Sequence, residues 1–163
     1  MALKEALLAE YDHECATTRK LLERIPDGRL SWAPHARSMT MGGLGLHLAN
    51  LPSWGGPIMD RPDLDLAEVP RRLSEPASTA DVLTHFDEAR ASTRTALDKT
   101  DTELLGMWSL RRNGDEVFSL PRLAAFRSFV LNHMIHHRGQ LSVYLRLNDV
   151  AVPAIYGPSA DEG

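Results

Sequence analysis

Three of the chain's seven histidines, His133, His136 and His137, fall within the stretch "FRSFVLNHMIHHRGQLSVYL", Phe126 to Leu145. Its apolar residues recur at helical spacing, so it reads as part of one long helix whose side chains advance by about 100° per residue. With His133 at zero, Phe126 and Tyr144 fall near 20°, Val130 near 60°, and Leu123 and Leu141 near 80°, which centres the apolar stripe at about 60°. His137, at about 40°, lies inside that stripe and His136, at about −60°, lies off it. His133 and His137 are thus one turn apart on the core-facing side, with Cβ atoms roughly 6 Å apart, a spacing that suits chelation of one cation.

The pair has an ordinary alternative, two packed side chains hydrogen-bonded to carbonyls or water. Two neutral imidazoles turned into one core need a partner, so a third ligand elsewhere decides between the readings. His47 is the natural candidate. Thr40 is placed to cap a helix running to about Met59, and Leu44, Leu51, Trp54 and Ile58 all lie within about 60° of His47 on its wheel. His47, His133 and His137 together would leave a coordination position for water or substrate, whereas a structural zinc site is closed by four protein ligands.

The elements that must position these residues follow from periodicity. Residues 3 to 25 carry Leu7, Leu8, Tyr11, Cys15, Thr18, Leu22 and Ile25 at spacings of three and four, an amphipathic helix stopped by Pro26-Asp27-Gly28. Glu14 and Glu23 lie near or beyond the edges of that stripe, and His13 falls off it toward solvent. Trp32 in the following connection is expected to pack on the end of the helices, and His35 has no assigned role. In the second helix Gly42, Gly43 and Gly45 weaken the first turns or permit close approach of a neighbour, and Pro52 predicts a kink near Leu48. Asp60 to Ala77, with prolines at 62, 70 and 76 and no steady period, reads as a crossover along the outside. Ser78, with Asp81 three residues on, caps a third helix carrying Val82, Phe86, Ala89, Thr93, Ala96 and Leu97. His85 lies beside that stripe as a rim residue. Trp108 and Leu110, Asn113-Gly114, then Val117, Phe118 and Leu120 suit a small hairpin. Pro121 opens the final helix, which runs to about Leu147 and closes at Asn148-Asp149.

The expected fold is therefore all-α, a four-helix bundle with a long crossover between helices 2 and 3 and a small β-hairpin before the last helix, built as one domain over residues 1–163. A net charge of −4, a pI near 5.9 and scattered Lys and Arg argue against nucleic acid or an anionic membrane as partner. No apolar run approaches a membrane span and the first residues lack a signal-peptide pattern, so a cytoplasmic protein is expected. Cys15, the single cysteine, reads as a small buried hydrophobe, so a reactive thiol must come from outside.

Three segments, "MTMGGLGLHLANLPSW", "NHMIHHRGQLSVYLRL" and "VPAIYGPS", make nearly the whole chain resemble the DinB-like superfamily of small bacterial metal-binding helical bundles, which includes bacillithiol- and mycothiol-dependent transferases. The resemblance implies an up-down-down-up bundle, often a homodimer, with a metal held by one His of the second helix and a His-x-x-x-His pair of the last. Those positions are His47, His133 and His137. Imidazole suits zinc, nickel, iron and copper alike, so the ligand set leaves the element open.

The function this implies is a metal-dependent transferase of a low-molecular-weight thiol, with a small-molecule electrophile as substrate and the thiol as cosubstrate. A hydrolase would instead activate water and should show a nearby acid or base. None is evident beside the triad, although the crossover has Asp63, Asp65 and Glu68 to deliver. A non-catalytic metal-binding stress or sensing module is the reading from a different class. His136, Arg138 and Gln140 follow the ligands; His136 is either support for the site or a surface residue, and Arg138 is expected on a solvated or dimer-facing edge. Tyr144 reads as a packed core residue, and Tyr156 is expected to pin the tail.

Overall fold

The computed structural model describes residues 3–69 and 73–162. Leu7, Tyr11, Cys15, Thr18 and Leu22 all turn inward along α1 (Leu3–Leu22), as their spacing dictates. Ile25, buried just past its end, belongs to the same core.

Thr40 caps α2 (Met41–Asn50) by accepting from Gly43 N at 2.9 Å. Pro52 has no N–H to give the Leu48 carbonyl, and the Leu51 N–H bonds that carbonyl instead. The chain therefore tightens into a 3-10 turn at Leu51–Trp54 and then resumes as α3 (Gly55–Asp60), so the kink expected at Leu48 is a change of helix type one turn later. Gly45 permits close approach: a Cβ there would come within 2.6 Å of Ile25 Cδ1.

The crossover carries a short strand, β1 (Asp63–Asp65), which its lack of periodicity concealed. Pro70 lies outside the described residues. Ser78 then caps α4 (Thr79–Ala96) through Asp81 N at 3.1 Å, and every apolar residue assigned to its inner face is buried. A short α5 (Asp101–Leu105), closed at its start by a Thr100–Glu103 capping box, leads to the hairpin.

That hairpin, β2 (Met107–Arg112) and β3 (Asp115–Pro121), turns at Asn113 and Gly114 with φ of 53° and 87°. Trp108 faces Leu120 and Leu110 faces Phe118 across it. β1 adds in parallel on the other side of β2, and Asp65 fixes the turn by accepting from Asn113 N at 3.0 Å and Gly114 N at 2.6 Å. The result is a mostly helical protein with a small three-stranded sheet, order β1-β2-β3.

The last helical segment is not uniform. After Pro121, α6 (Arg122–Phe126) passes into a π-turn at Arg127–Leu131 and then α7 (Asn132–Arg146), closed by Asp149 in the left-handed region and a bond from Val150 N to the Leu145 carbonyl at 3.1 Å. α1 and α2 each pack on both α4 and α7, and the core lies between these four. No helix among the described residues is long and apolar enough to cross a membrane.

Arg138 corrects the sequence reading most sharply. It is 1% exposed, and its Nη2 lies 2.6 Å from the carboxylate of Glu14, itself only 6% exposed. Nη1 donates to the Glu14 carbonyl at 3.1 Å and to Thr18 Oγ1 at 3.3 Å. Tyr156 completes the group, its hydroxyl 2.6 Å from Nη2 and 2.9 Å from the Glu14 carboxylate, and this is how it pins the tail. A charged residue can occupy a core stripe when such a partner meets it. The buried face of α7 is Met134, Arg138, Leu141 and Leu145, centred at about 110° rather than 60°, because Leu123, Phe126 and Val130, which set the expected centre, lie before or within the π-turn that breaks the 100° register.

Candidate metal centre

The shifted stripe sets the exposure of the histidines. His133 and His137 sit at its edge, half-buried rather than core-centred, and His47 meets them from α2, also half-buried. The π-turn ends two residues before α7's first histidine, so the extra residue it inserts fixes the angle at which His133 and His137 face α2.

His137 Nε2 lies 3.1 Å from His47 Nε2 and 2.9 Å from His133 Nε2. One nitrogen from each ring lies within 4.8 Å of the other two, and no Asp, Glu or Cys joins this group among the described residues. Ligands at zinc–imidazole distances stand roughly 3.0–3.4 Å apart in tetrahedral or octahedral geometry, so the two separations from His137 are already near ligand spacing.

Proton accounting supports the fit. His137 Nδ1 donates to Gln140 Oε1 at 2.7 Å, which leaves Nε2 with only a lone pair. One lone pair accepts one good hydrogen bond, yet two imidazole nitrogens press on it. A cation at the point of convergence satisfies all three. Burial, and after it the His137 and His133 rings, holds His47 down to about 4. His133 is lowered chiefly by burial and by His137, against a hydrogen bond to the Phe129 backbone that works the other way. His137 is lowered by burial, opposed by Gln140. All three are therefore neutral ligands near pH 7.

An open cleft of about 690 Å³ begins at His47 and is lined by Thr40, Leu46, Asn50, Trp54, Val69 and Glu75 among others, a size that suits a small-molecule site. The carboxylates expected from the crossover go elsewhere: Asp63 pairs with Arg111 at 2.8 Å, Asp65 holds the hairpin turn, and Glu68 faces Arg61 at 3.9 Å. Glu75, which sequence reasoning passed over, is the crossover carboxylate on the cleft. It accepts from Thr40 Oγ1 at 2.9 Å and lies over Gly43, one turn before His47. No periodic signal marks it.

The remaining candidates fall outside the triad. His136 is exposed, its ring edge-on to His137 with centroids 4.8 Å apart. His85 Nε2 lies 2.8 Å from Asn50 Oδ1 on the rim. His13 and His35 are exposed. Tyr144 is half-buried, donating to the Met39 carbonyl at 3.3 Å and standing edge-on to Trp32, so it ties α7 to the loop before α2. Cys15 is fully buried and its thiol is pushed up to about 12 by burial, which removes it as a nucleophile.

The sequence model of the DinB family matches residues 1–163. A Bacillus subtilis (strain 168) protein named "Uncharacterized protein YrdA" is 25% identical over 155 residues, 95% of this chain and 89% of that one. The crystal structure of a DinB-like protein from Bacillus cereus ATCC 10987 matches with a TM-score of 0.72, covering 93% of this chain and 97% of its own at 22% identity, a likeness of fold.

Proposed function

The chain belongs to the DinB family, and from that premise we propose that His47, His133 and His137 hold one divalent transition-metal ion in a metal-dependent transferase of a low-molecular-weight thiol. Zinc, nickel and iron all suit three imidazoles. On this reading residues 1–163 form one domain, and α1, α2, α4 and α7 are the four helices of an up-down-down-up bundle.

The observation that carries the proposal is the convergence of three imidazole nitrogens beside an open cleft. A closed four-ligand site would serve folding alone, whereas three ligands with a cleft serve a small molecule. A divalent ion bound there supplies Lewis acidity, which lowers the pKa of a coordinated thiol or water.

The chain's own residues do the rest. Gln140 fixes the tautomer and orientation of His137. Burial keeps the imidazoles neutral and able to ligate. Cys15 is sealed in the core, so the sulfur nucleophile is external. In the transfer, that sulfur forms a bond to an electrophilic carbon, the leaving group departs with the bonding electrons, and the thiol proton passes to solvent.

Cobalt-loaded protein titrated with a panel of low-molecular-weight thiols tests this. The visible spectrum should change with at least one thiol, and the same thiol should be consumed with an added electrophile by wild type and not by His137→Ala. A spectrum that ignores every thiol contradicts the transferase and favours a binding module.

A further inference from the structure

Trp54 is the end plate of an aromatic stack. Its ring lies 5.9 Å from that of Phe129 and 13° from parallel. Phe129 in turn stacks on Phe118 at 5.4 Å and 5°. Phe129 thus has two near-parallel ring neighbours, Trp54 and Phe118, while Phe129 is the one ring stacked with Trp54 among the described residues. Trp54 is half-buried and lines the cleft that begins at His47.

The stack is also fastened to the metal centre at two points. Trp54 follows His47 by seven residues, about two helical turns along the same segment. Phe129 hydrogen-bonds His133 through its backbone. Trp54 and His47 consequently line the same cleft in a fixed relation, with His133 and His137 behind His47. Ala36, Leu46, Val69 and Leu73 are the aliphatic residues lining the same cleft, with Met39 beside them, and Trp54 is its one aromatic lining residue among the described residues. An aliphatic wall would serve any apolar ligand, but a flat plate whose neighbours are already stacked parallel favours another flat ring beyond what the buried area alone supplies.

We infer that the cleft takes a planar aromatic or heteroaromatic electrophile, which continues the stack on Trp54 beside His47. This rests on the proposed thiol transfer and names its second substrate class. For a ring bearing a leaving group, the thiol sulfur bonds to the ring carbon, the bond from that carbon to the leaving group breaks heterolytically, the leaving group departs as an anion, and the thiol proton goes to solvent. Trp54 binds and orients the ring and exchanges no proton.

The test uses a matched pair of unreactive probes, nitrobenzene and nitrocyclohexane, titrated into the zinc-loaded protein while the tryptophan indole N–H signals are followed by NMR. The Trp54 signal is the one missing from Trp54→Phe. Nitrobenzene should shift that signal and saturate it at about tenfold lower concentration than nitrocyclohexane. Trp54→Leu, which keeps an apolar side chain but removes the plate, should abolish that preference, read in the variants from the broadening of the probes' own signals on addition of protein, while the Trp32 and Trp108 signals show the protein folded; Trp54→Phe should retain part of it. Equal affinity for the two probes, or a preference that survives Trp54→Leu, overturns the inference. Ring preference in a protein that ignores every thiol removes the transferase reading and leaves the stacking site; thiol binding without ring preference does the reverse.

Discussion

Nδ1 of His137 lies 2.7 Å from Oε1 of Gln140, one turn along α7, and this one contact fixes which nitrogen of His137 faces the other two imidazoles. Gln140 is exposed, so its loss should leave the fold intact. Gln140→Leu is expected to weaken metal binding by about 10- to 100-fold while changing unfolding free energy by less than about 0.5 kcal/mol. Competition with a chelator of known affinity measures the first and urea unfolding of the metal-free protein the second. Unchanged affinity would show that His137 is oriented by packing alone.

Arg138 and Glu14 make the opposite case, a charged pair that the fold needs and the metal does not touch. Arg138→Met leaves the Glu14 carboxylate buried without its partner and should cost about 3–5 kcal/mol. Arg138→Met combined with Glu14→Leu should recover most of that loss, since the uncompensated charge is gone. Urea unfolding of both variants checks this. A double variant no more stable than the single one would place the cost in packing around the guanidinium instead.

These two contacts mark where sequence was readable. The convergence of His47, His133 and His137 could be read because an i, i+4 pair falls on one helix face and a third imidazole on another, and periodicity reports faces. Arg138 could not, because amphipathic patterning assigns charge to solvent unless the partner is known, and Glu14 is 124 residues away along the chain. Running one 100° wheel through the π-turn, with Leu123, Phe126 and Val130 on it, also centred the α7 stripe on the histidines, which instead occupy its edge. The π-turn at Arg127–Leu131 and the strand Asp63–Asp65 were invisible for a related reason: one is a register change inside a helical pattern and the other is three residues held by pairing with β2. Glu75 reaches the cleft through tertiary contact with Thr40, which no local signal announces.

Gly55 tests the close approach of α3 and α4. A Cβ at that position would overlap the Thr93 side chain, whose hydroxyl donates to the Pro52 carbonyl. Gly55→Ala should therefore destabilise by about 1–3 kcal/mol, against the small gain expected for this exchange in an unobstructed helix. Thermal unfolding of the variant measures it, and a stability equal to wild type would mean that the two segments can part without loss.

Acid should weaken the metal-free protein through the triad. His47 titrates near 4 in the fold against 6.5 for the free side chain, and His133 and His137 are lowered as well. Between those values the unfolded chain binds protons that the folded chain refuses, so this contribution is complete above about 6.5 and is lost progressively as pH falls toward 4. Melting temperatures of metal-free protein should drop across that window, and should drop less in His47→Ala. Parallel curves for the two proteins would contradict the depressed imidazoles.

The most direct measurement is metal stoichiometry by mass spectrometry on untagged wild type, His47→Ala and His137→Ala purified side by side. The account predicts close to one divalent transition-metal ion per chain in wild type and its loss in both variants, each still folded by circular dichroism. Wild type without metal after exposure to zinc, nickel and iron, or variants that retain it in full, would contradict a metal centre at His47, His133 and His137.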